Sequence, residues 1–364
     1  MKSIIKHIIL STFIGLIFLR CQTDTAINNN SIEVFKASFD GTEVALSEIT
    51  SNPDIIKLGS VGDDFVTRVM DIAHNKDLIF VLDIRTIFKF DRQGNYLGRI
   101  GSVGDGPGEY RSLMSMAVNW KTDQIFVSTY NKIIVYNLEG DFLREEKVPS
   151  WIDGISLVKN DLHAFITERG FPSANPNKSI TKTFLLRLDN DLQVMDSLLV
   201  KSVEVDKGTA TALGFGMNFI SNDSDNEYLY FPVVSPDPIV RDTLYRLNDG
   251  KIIPELKLDF GIRDRLEEKF GITSMMKSQN YVLTNFFRNS KSKVNLFSLS
   301  SEKSVTAEGG FEDDFFNSGK VTLKPWNLEN DEFYFIKDAY ELAGIIDGVT
   351  EDDNPVLFIF KLDK

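Results

Sequence analysis

An all-β fold is predicted for this chain, and three features predict it. Phe is abundant, at 28 residues, and lies among short runs of aromatic and β-branched residues that favour strands. A segment of about 45 residues recurs along the chain, the period of a repeat architecture. The pentapeptide GSVGD stands at both 59–63 and 101–105, 42 positions apart. At 364 residues the chain is long for one average domain but within the range of a large closed β-fold, and its 42% hydrophobic content is enough for a core.

The chain begins MKSIIKHIILSTFIGLIFLRCQTDTAINNN. Lys2 and Lys6 give a basic start, and Ile8 to Leu19 form an apolar run too short to span a bilayer comfortably but suited to an export signal. Cys21 follows at once. This arrangement resembles a bacterial lipoprotein signal, in which the cysteine is lipidated and becomes the first mature residue, although Arg20 stands where that pattern prefers a small side chain. The resemblance implies a signal over 1–20, a polar tether over 21–30 and an exported domain over 31–364, with membrane contact only through the lipid. Cys21 is the single cysteine, so no disulfide forms within the chain.

Segment 79–100, IFVLDIRTIFKFDRQGNYLGRI, aligns with 125–146, IFVSTYNKIIVYNLEGDFLREE, at an offset of 46. Each reads as an apolar strand, a polar break, a second apolar strand, a tight turn and a third strand. Gly94 and Gly140 stand where a hairpin turn demands positive φ. The strand LMSMAVN (113–119) opens the next unit, so the unit is a four-stranded meander, the signature of a propeller blade. Second strands begin near Ile79, Ile125, Leu162, Tyr228, Tyr281 and Phe333, which makes six units. Their third strands are TIFKF, IIVYN, TFLLRLD, TLYRLN, VNLFSL and VLFIFKL. Between blades, IRDRLEEKFG (262–271) has room for one or two helical turns. The sixth unit runs out of chain after its third strand. DIIKLGSVGDD (54–64) matches the outer strand and exit of YLGRIGSVGDGPGEY, so the N-terminal segment is expected to supply the missing strand. The predicted fold is a six-bladed β-propeller of four-stranded antiparallel blades, closed by an N-terminal strand that completes the last blade.

The stretch GRIGSVGDGPGEYRSLMSMAVNWKTDQIFVSTYNKIIVYNLEGDFL resembles an NHL-type repeat. With the leader and the ending NPVLFIFKLDK, it is similar to the six-bladed β-propeller lipoproteins of Bacteroidetes. Members of that group mostly lack an assigned activity, so the resemblance implies fold and an envelope location, periplasmic or on the cell surface. Some six-bladed relatives are metal-dependent lactonases or lyases; their sites need carboxylates and amides, or histidines, converging on the axis, and no such set can be assembled from this sequence.

The formal net charge of −13 argues against a general nucleic-acid binder. Beyond the leader only His74 and His163 remain, which nearly excludes a His-rich zinc site. GDGPGEY lacks the Lys-Ser/Thr pair of a phosphate-binding loop. NDSDNE (222–227) is acidic enough to suggest calcium but lacks EF-hand spacing, so no cofactor is assigned. The more informative pattern is a basic residue at each connection between second and third strands: Arg85, Lys132, Arg169, Arg241, Arg288 and Lys337. Arg68 and Arg111, with Tyr110, add to the blade exits expected on the same face. Trp151 and Trp326 stand where blades begin, either as stacking surfaces or as packing between blades. A basic mouth dotted with aromatic residues would focus an anionic ligand. The expected function is non-catalytic binding of a glycan, peptide or anionic small molecule, with two alternatives: a metal-dependent lactonase-like enzyme, or a scaffold that docks another envelope protein.

Overall fold

Runs such as IFVLD and VLFIF are apolar at every position because their strands are buried on both sides. Alternate residues of the run 78–83 face different neighbours: Ile79 and Val81 pack with Tyr334 and Leu357, whereas Phe80 and Leu82 pack with Ile125 and Val127. The period of two thus operates between two apolar partners rather than between core and water. The computed structural model describes residues 32–62, 64–148, 150–209, 219–232 and 239–363; the leader, Cys21 and the tether lie outside them.

The described residues form five four-stranded sheets and one five-stranded sheet, with two short two-stranded ribbons between them. The first sheet is Val69–His74, Leu78–Asp83, Ile87–Asp91 and Tyr96–Ile100. The second is Ser115–Asn119, Gln124–Ser128, Lys132–Asn137 and Phe142–Lys147. The third, with the longest strands, is Trp151–Val158, Asp161–Pro172, Lys178–Leu188 and Val194–Asp206. The fourth is Ile220–Asn222, Glu227–Leu229, Thr243–Asn248 and Lys251–Asp259. The fifth is Phe270–Lys277, Tyr281–Arg288, Lys291–Ser298 and Lys303–Glu308. Each is an antiparallel meander in chain order. The sixth is Lys324–Asn327, Glu332–Lys337 and Val356–Lys361, completed on its outer edge by Asp54–Lys57 from the N-terminal side. The N-terminal strand therefore stands where the repeated GSVGD places it: 59–63 and 101–105 each follow an outer strand. At the same seam the Gly59 N–H donates to Gly94 O at 2.8 Å, and Gly94 has φ +87° in the turn where its backbone meets Lys57.

Two features depart from the expected plan. Glu33–Lys36 adds a fifth strand, parallel to Lys251–Asp259 of the fourth sheet. Segment 262–271, expected to hold one or two helical turns, forms one, with Glu268 N–H donating to Asp264 O, and Lys269 at φ +47° then ends it. The second departure is the helix Ala339–Leu342, between the second and third strands of the sixth sheet, where Asp338 and Glu341 form a capping box.

The core is divided into six clusters, each lying between two sheets. They join the first to the second, second to third, third to fourth, fourth to fifth, fifth to sixth, and sixth to first. Residues Glu33–Lys364 form one compact unit.

Candidate functional site

Antiparallel order sets what lies at each end of the sheets. The first strand of every sheet enters from the long connections and leaves at a tight turn. The turns that leave the first strands lie at one end: the C-terminal parts of the first strands of the first, second, third, fourth and sixth sheets line a cavity of about 920 Å³. Its rim is polar and acidic, with Asp223, Asp225, Glu227 and Glu329, and holds Lys159 and Trp120 as well. Asp223 belongs to the NDSDNE turn. Burial pushes its carboxyl up, but bonds from Lys277 Nζ and Tyr228 Oη, both 2.5 Å, outweigh this and hold it well below the usual carboxylate range. Among the described residues, no group of three or more His, Cys, Asp and Glu side chains is arranged to hold a metal ion.

Asp71 lies deeper. The first strand slips register between Val69 and Asp71, a β-bulge that re-aims its side chains. Asp71 lines the large cavity and two smaller ones of about 240 Å³ and 210 Å³. Burial pushes its carboxyl up to about 6, against the opposing pull of the Ile72 N–H and the Lys324 charge. Burial also lowers the Lys324 ammonium, which Asp71 raises and Arg68 depresses further. Three residues along, His74 stacks on Trp326 with ring centroids 3.7 Å apart, and its Nε2 meets Trp326 O at 2.9 Å. Burial takes this imidazole down to about 4, so it is neutral near pH 7. The Nδ1 of His163 meets Asp161 O at 3.0 Å, and neither histidine bonds to a serine among the described residues.

The basic residues expected on one face do stand at the long-connection end of their strands, but their side chains serve different purposes. Lys132 is largely buried and bonds Glu145 Oε2 and Glu109 O, both at 2.9 Å. Lys337 is buried, bonding Ser318 O and Glu341. Arg288 pairs with Glu268 at 3.0 Å and lies 3.6 Å from the Phe39 ring centroid. Arg111 pairs with Asp105 at the surface. Tyr110 is buried, its hydroxyl donating to Ile100 O at 2.7 Å. These five hold loops in place. Arg169 and Arg241 are brought together around Lys201, whose ammonium burial lowers to about 8, with both arginines adding to the shift and Asp153 opposing it. The Arg68 and Arg85 side chains are exposed and make no hydrogen bond or ion pair among the described residues. Their backbone N–H groups donate to Asp83 Oδ2 and Oδ1 at 2.7 and 3.0 Å. Trp151, 40% exposed, forms a pair with Tyr130 at 4.5 Å on the same face. Trp326 lies elsewhere: it sits near the far end of its strand, toward the acidic cavity, and is covered by His74 and by Arg92 at 5.1 Å.

GDGPGEY closes on itself. Gly106 N–H donates to Glu109 Oε2 at 2.7 Å and Gly108 N–H to Glu145 Oε2 at 3.0 Å, so the chain's own carboxylates fill donors that an external anion would need.

Asp71, Lys324 and Lys201 were not selected from the sequence. The only signal was an ionisable residue inside an apolar strand, as in VTRVMDIAH.

The sequence profile of a domain of unknown function, DUF4934, matches residues 30–361. The chain belongs to the DUF4934 family. The match spans all six sheets of this DUF4934 protein. Its fold is similar to that of a Bacteroides fragilis protein provisionally named as exported, at 18% identity and TM-score 0.68, covering 92% of this chain and 100% of the other. The WD40 domain of Neurospora crassa Pan2 gives 11% identity and TM-score 0.44, covering 81% of this chain and 76% of the other. A Bacteroides caccae protein of unknown function gives 11% and 0.33, covering 78% and 82%. The comparison with curated proteins finds no match. The first of these likenesses shows a shared all-β fold over nearly the full length of both chains.

Proposed function

We propose that this DUF4934 chain is an exported, non-catalytic binding protein. In this reading its six sheets are the NHL-like blades of a closed β-propeller, and its long-connection face docks an acidic polypeptide segment. The six core clusters that link each sheet to the next, and the sixth back to the first, support the closed ring. The leader pattern supports export, with lipidation at Cys21 anchoring the domain to the outer membrane.

One observation carries the docking reading: the two ends of the sheets differ in what they expose. Phe65, Ile84, Tyr130, Trp151, Phe287 and Tyr340 are exposed on the long-connection face. At the opposite end, among the described residues, exposed large apolar side chains stand where outer strands leave the turns, as at Phe142 and Val194, and none lies within the turns themselves. Apolar side chains gathered on one face mark an interaction surface. Phe65 and Ile84 stand beside the unpaired Arg68 and Arg85, so the matching partner presents apolar side chains flanked by carboxylates.

Displayed peptides of varied acidity and apolar content, panned against the full-length protein, test this. Acidic, aromatic-bearing sequences should be enriched, and Arg85→Ala or Trp151→Ala should weaken them about tenfold, or ~1.4 kcal/mol each. Enrichment that ignores acidity, undiminished binding by both variants, or binding confined to a glycan panel overturns the reading.

A further inference from the structure

Asp71 and Lys324 carry opposite charges, line the same cavity of about 210 Å³, and do not pair: no cation reaches ion-pair distance of the Asp71 carboxyl among the described residues. Asp71 accepts one hydrogen bond, from the N–H of Ile72 at 2.9 Å. Lys324 Nζ has a single long contact, to Val69 O at 3.4 Å. Two opposite charges close enough to shift each other's titration would ordinarily close into a salt bridge when nothing intervenes. Here the bulge at Met70 and the two strands hold them apart across open space. Ser274 and Asn285 complete the wall, the Asn285 amide donating to Ser274 Oγ at 2.8 Å and leaving the hydroxyl proton free to donate. Arg68 lies near enough to depress Lys324, which makes that side of the cavity the more cationic.

We propose that this axial cavity is a binding site for a small zwitterion, an ammonium and a carboxylate on one compact skeleton, as in a free α-amino acid. Asp71 receives the ammonium; Lys324, with Arg68 behind it, receives the carboxylate. A simple anion would meet the Asp71 carboxylate, and a simple cation would meet Lys324 and Arg68, so only a ligand bearing both charges gains on each side. The volume lies below the ~300 Å³ at which pockets for drug-sized ligands begin, which fits a ligand of few heavy atoms. Asp71 also lines the 920 Å³ cavity, so the site lies beside that larger space. Of the residues on the docking face, the site draws only on Arg68.

Calorimetric titration of the full-length protein with glycine and L-serine tests the proposal, with methylamine and acetate as the two half-ligands. The expected result is saturable binding of at least one zwitterion at millimolar concentration or below, and at least ~tenfold weaker binding of either half-ligand. Asp71→Asn and Lys324→Gln should each reduce zwitterion binding about tenfold. No saturable binding, half-ligands as tight as zwitterions, or variants that bind like the parent overturn it. Should a variant fail to fold, the ¹³C carboxyl resonance of Asp71 in the parent protein decides: a saturable shift with glycine supports the site, and no shift overturns it. Peptide panning does not enter these readouts, so either proposal can fail alone.

Discussion

Asp71 and His74, three residues apart on one strand, make opposite contributions to stability as pH changes. The Asp71 carboxyl titrates near 3.8 in an unfolded chain and near 6 in the fold. The folded state therefore holds a proton that the unfolded state has lost, and stability from this group falls as pH rises from about 4 to about 6. The cost above pH 6 is at most about 3 kcal/mol, less where solvent screens the charge. His74 is depressed from 6.5 to about 4, so its contribution is present above pH 6.5 and is lost as pH falls toward 4. The two windows overlap and partly cancel. Asp71→Asn should raise the melting temperature at pH 7–8, converge with the parent near pH 4, and fall more steeply between them, because the His74 loss is then unopposed. Melting curves from pH 4 to 8 check this, and a variant no more stable than the parent at pH 8 contradicts it.

Connections between strands depend on single buried carboxylates. Asp83, 1% exposed, accepts from Thr67 N–H and Oγ1–H at 2.8 Å, and from the N–H groups of Arg68 and Arg85 at 2.7 and 3.0 Å. One side chain thus holds the loop into the first sheet against the turn after its second strand, and aims both exposed arginines. Asp83→Ala leaves these donors unpaired and should cost about 3–5 kcal/mol by urea denaturation. Asp83→Asn, which keeps one acceptor oxygen, should cost less. Equal losses would mean that volume rather than hydrogen bonding holds the turn. Gly101 works at the same scale: φ is +68°, and an added Cβ would meet the Tyr136 hydroxyl at 2.5 Å.

The seam between the sixth and first sheets joins an N-terminal strand to the last strand of the chain. Asp54–Lys57 pairs with Val356–Lys361, and Ile56 packs with Phe88, Phe90 and Tyr334. Ile56→Ala should cost about 2–4 kcal/mol and lower hydrogen-exchange protection across Val356–Lys361. Removing 32–62 would leave that apolar strand as an open edge, and light scattering should show association. A truncated chain that stays monodisperse, with unchanged protection at 356–361, would show that the seam is dispensable.

Strand positions were legible in the sequence because middle strands buried on both sides are written as unbroken apolar runs. The second strands begin within a residue of the positions read from Ile79, Ile125, Leu162, Tyr228, Tyr281 and Phe333. The outer strand at 54–57 was legible because its exit repeats GSVGD. The parallel strand Glu33–Lys36 was not, since parallel pairing needs no turn and leaves no local signal. Residue type and spacing also placed a basic residue at each connection, yet only tertiary structure decided which were spent: Lys132 and Lys337 turn inward to carbonyls and carboxylates, whereas Arg68 and Arg85 remain exposed. The Asp71–Lys324 cavity belongs wholly to the tertiary level. Its two charges are 253 positions apart in the chain (324 minus 71), on the first strands of different sheets. Local propensity and hydrophobic period act over a few neighbouring residues, but the distance between such groups, and so their burial and charge state, is set by how the sheets pack against one another.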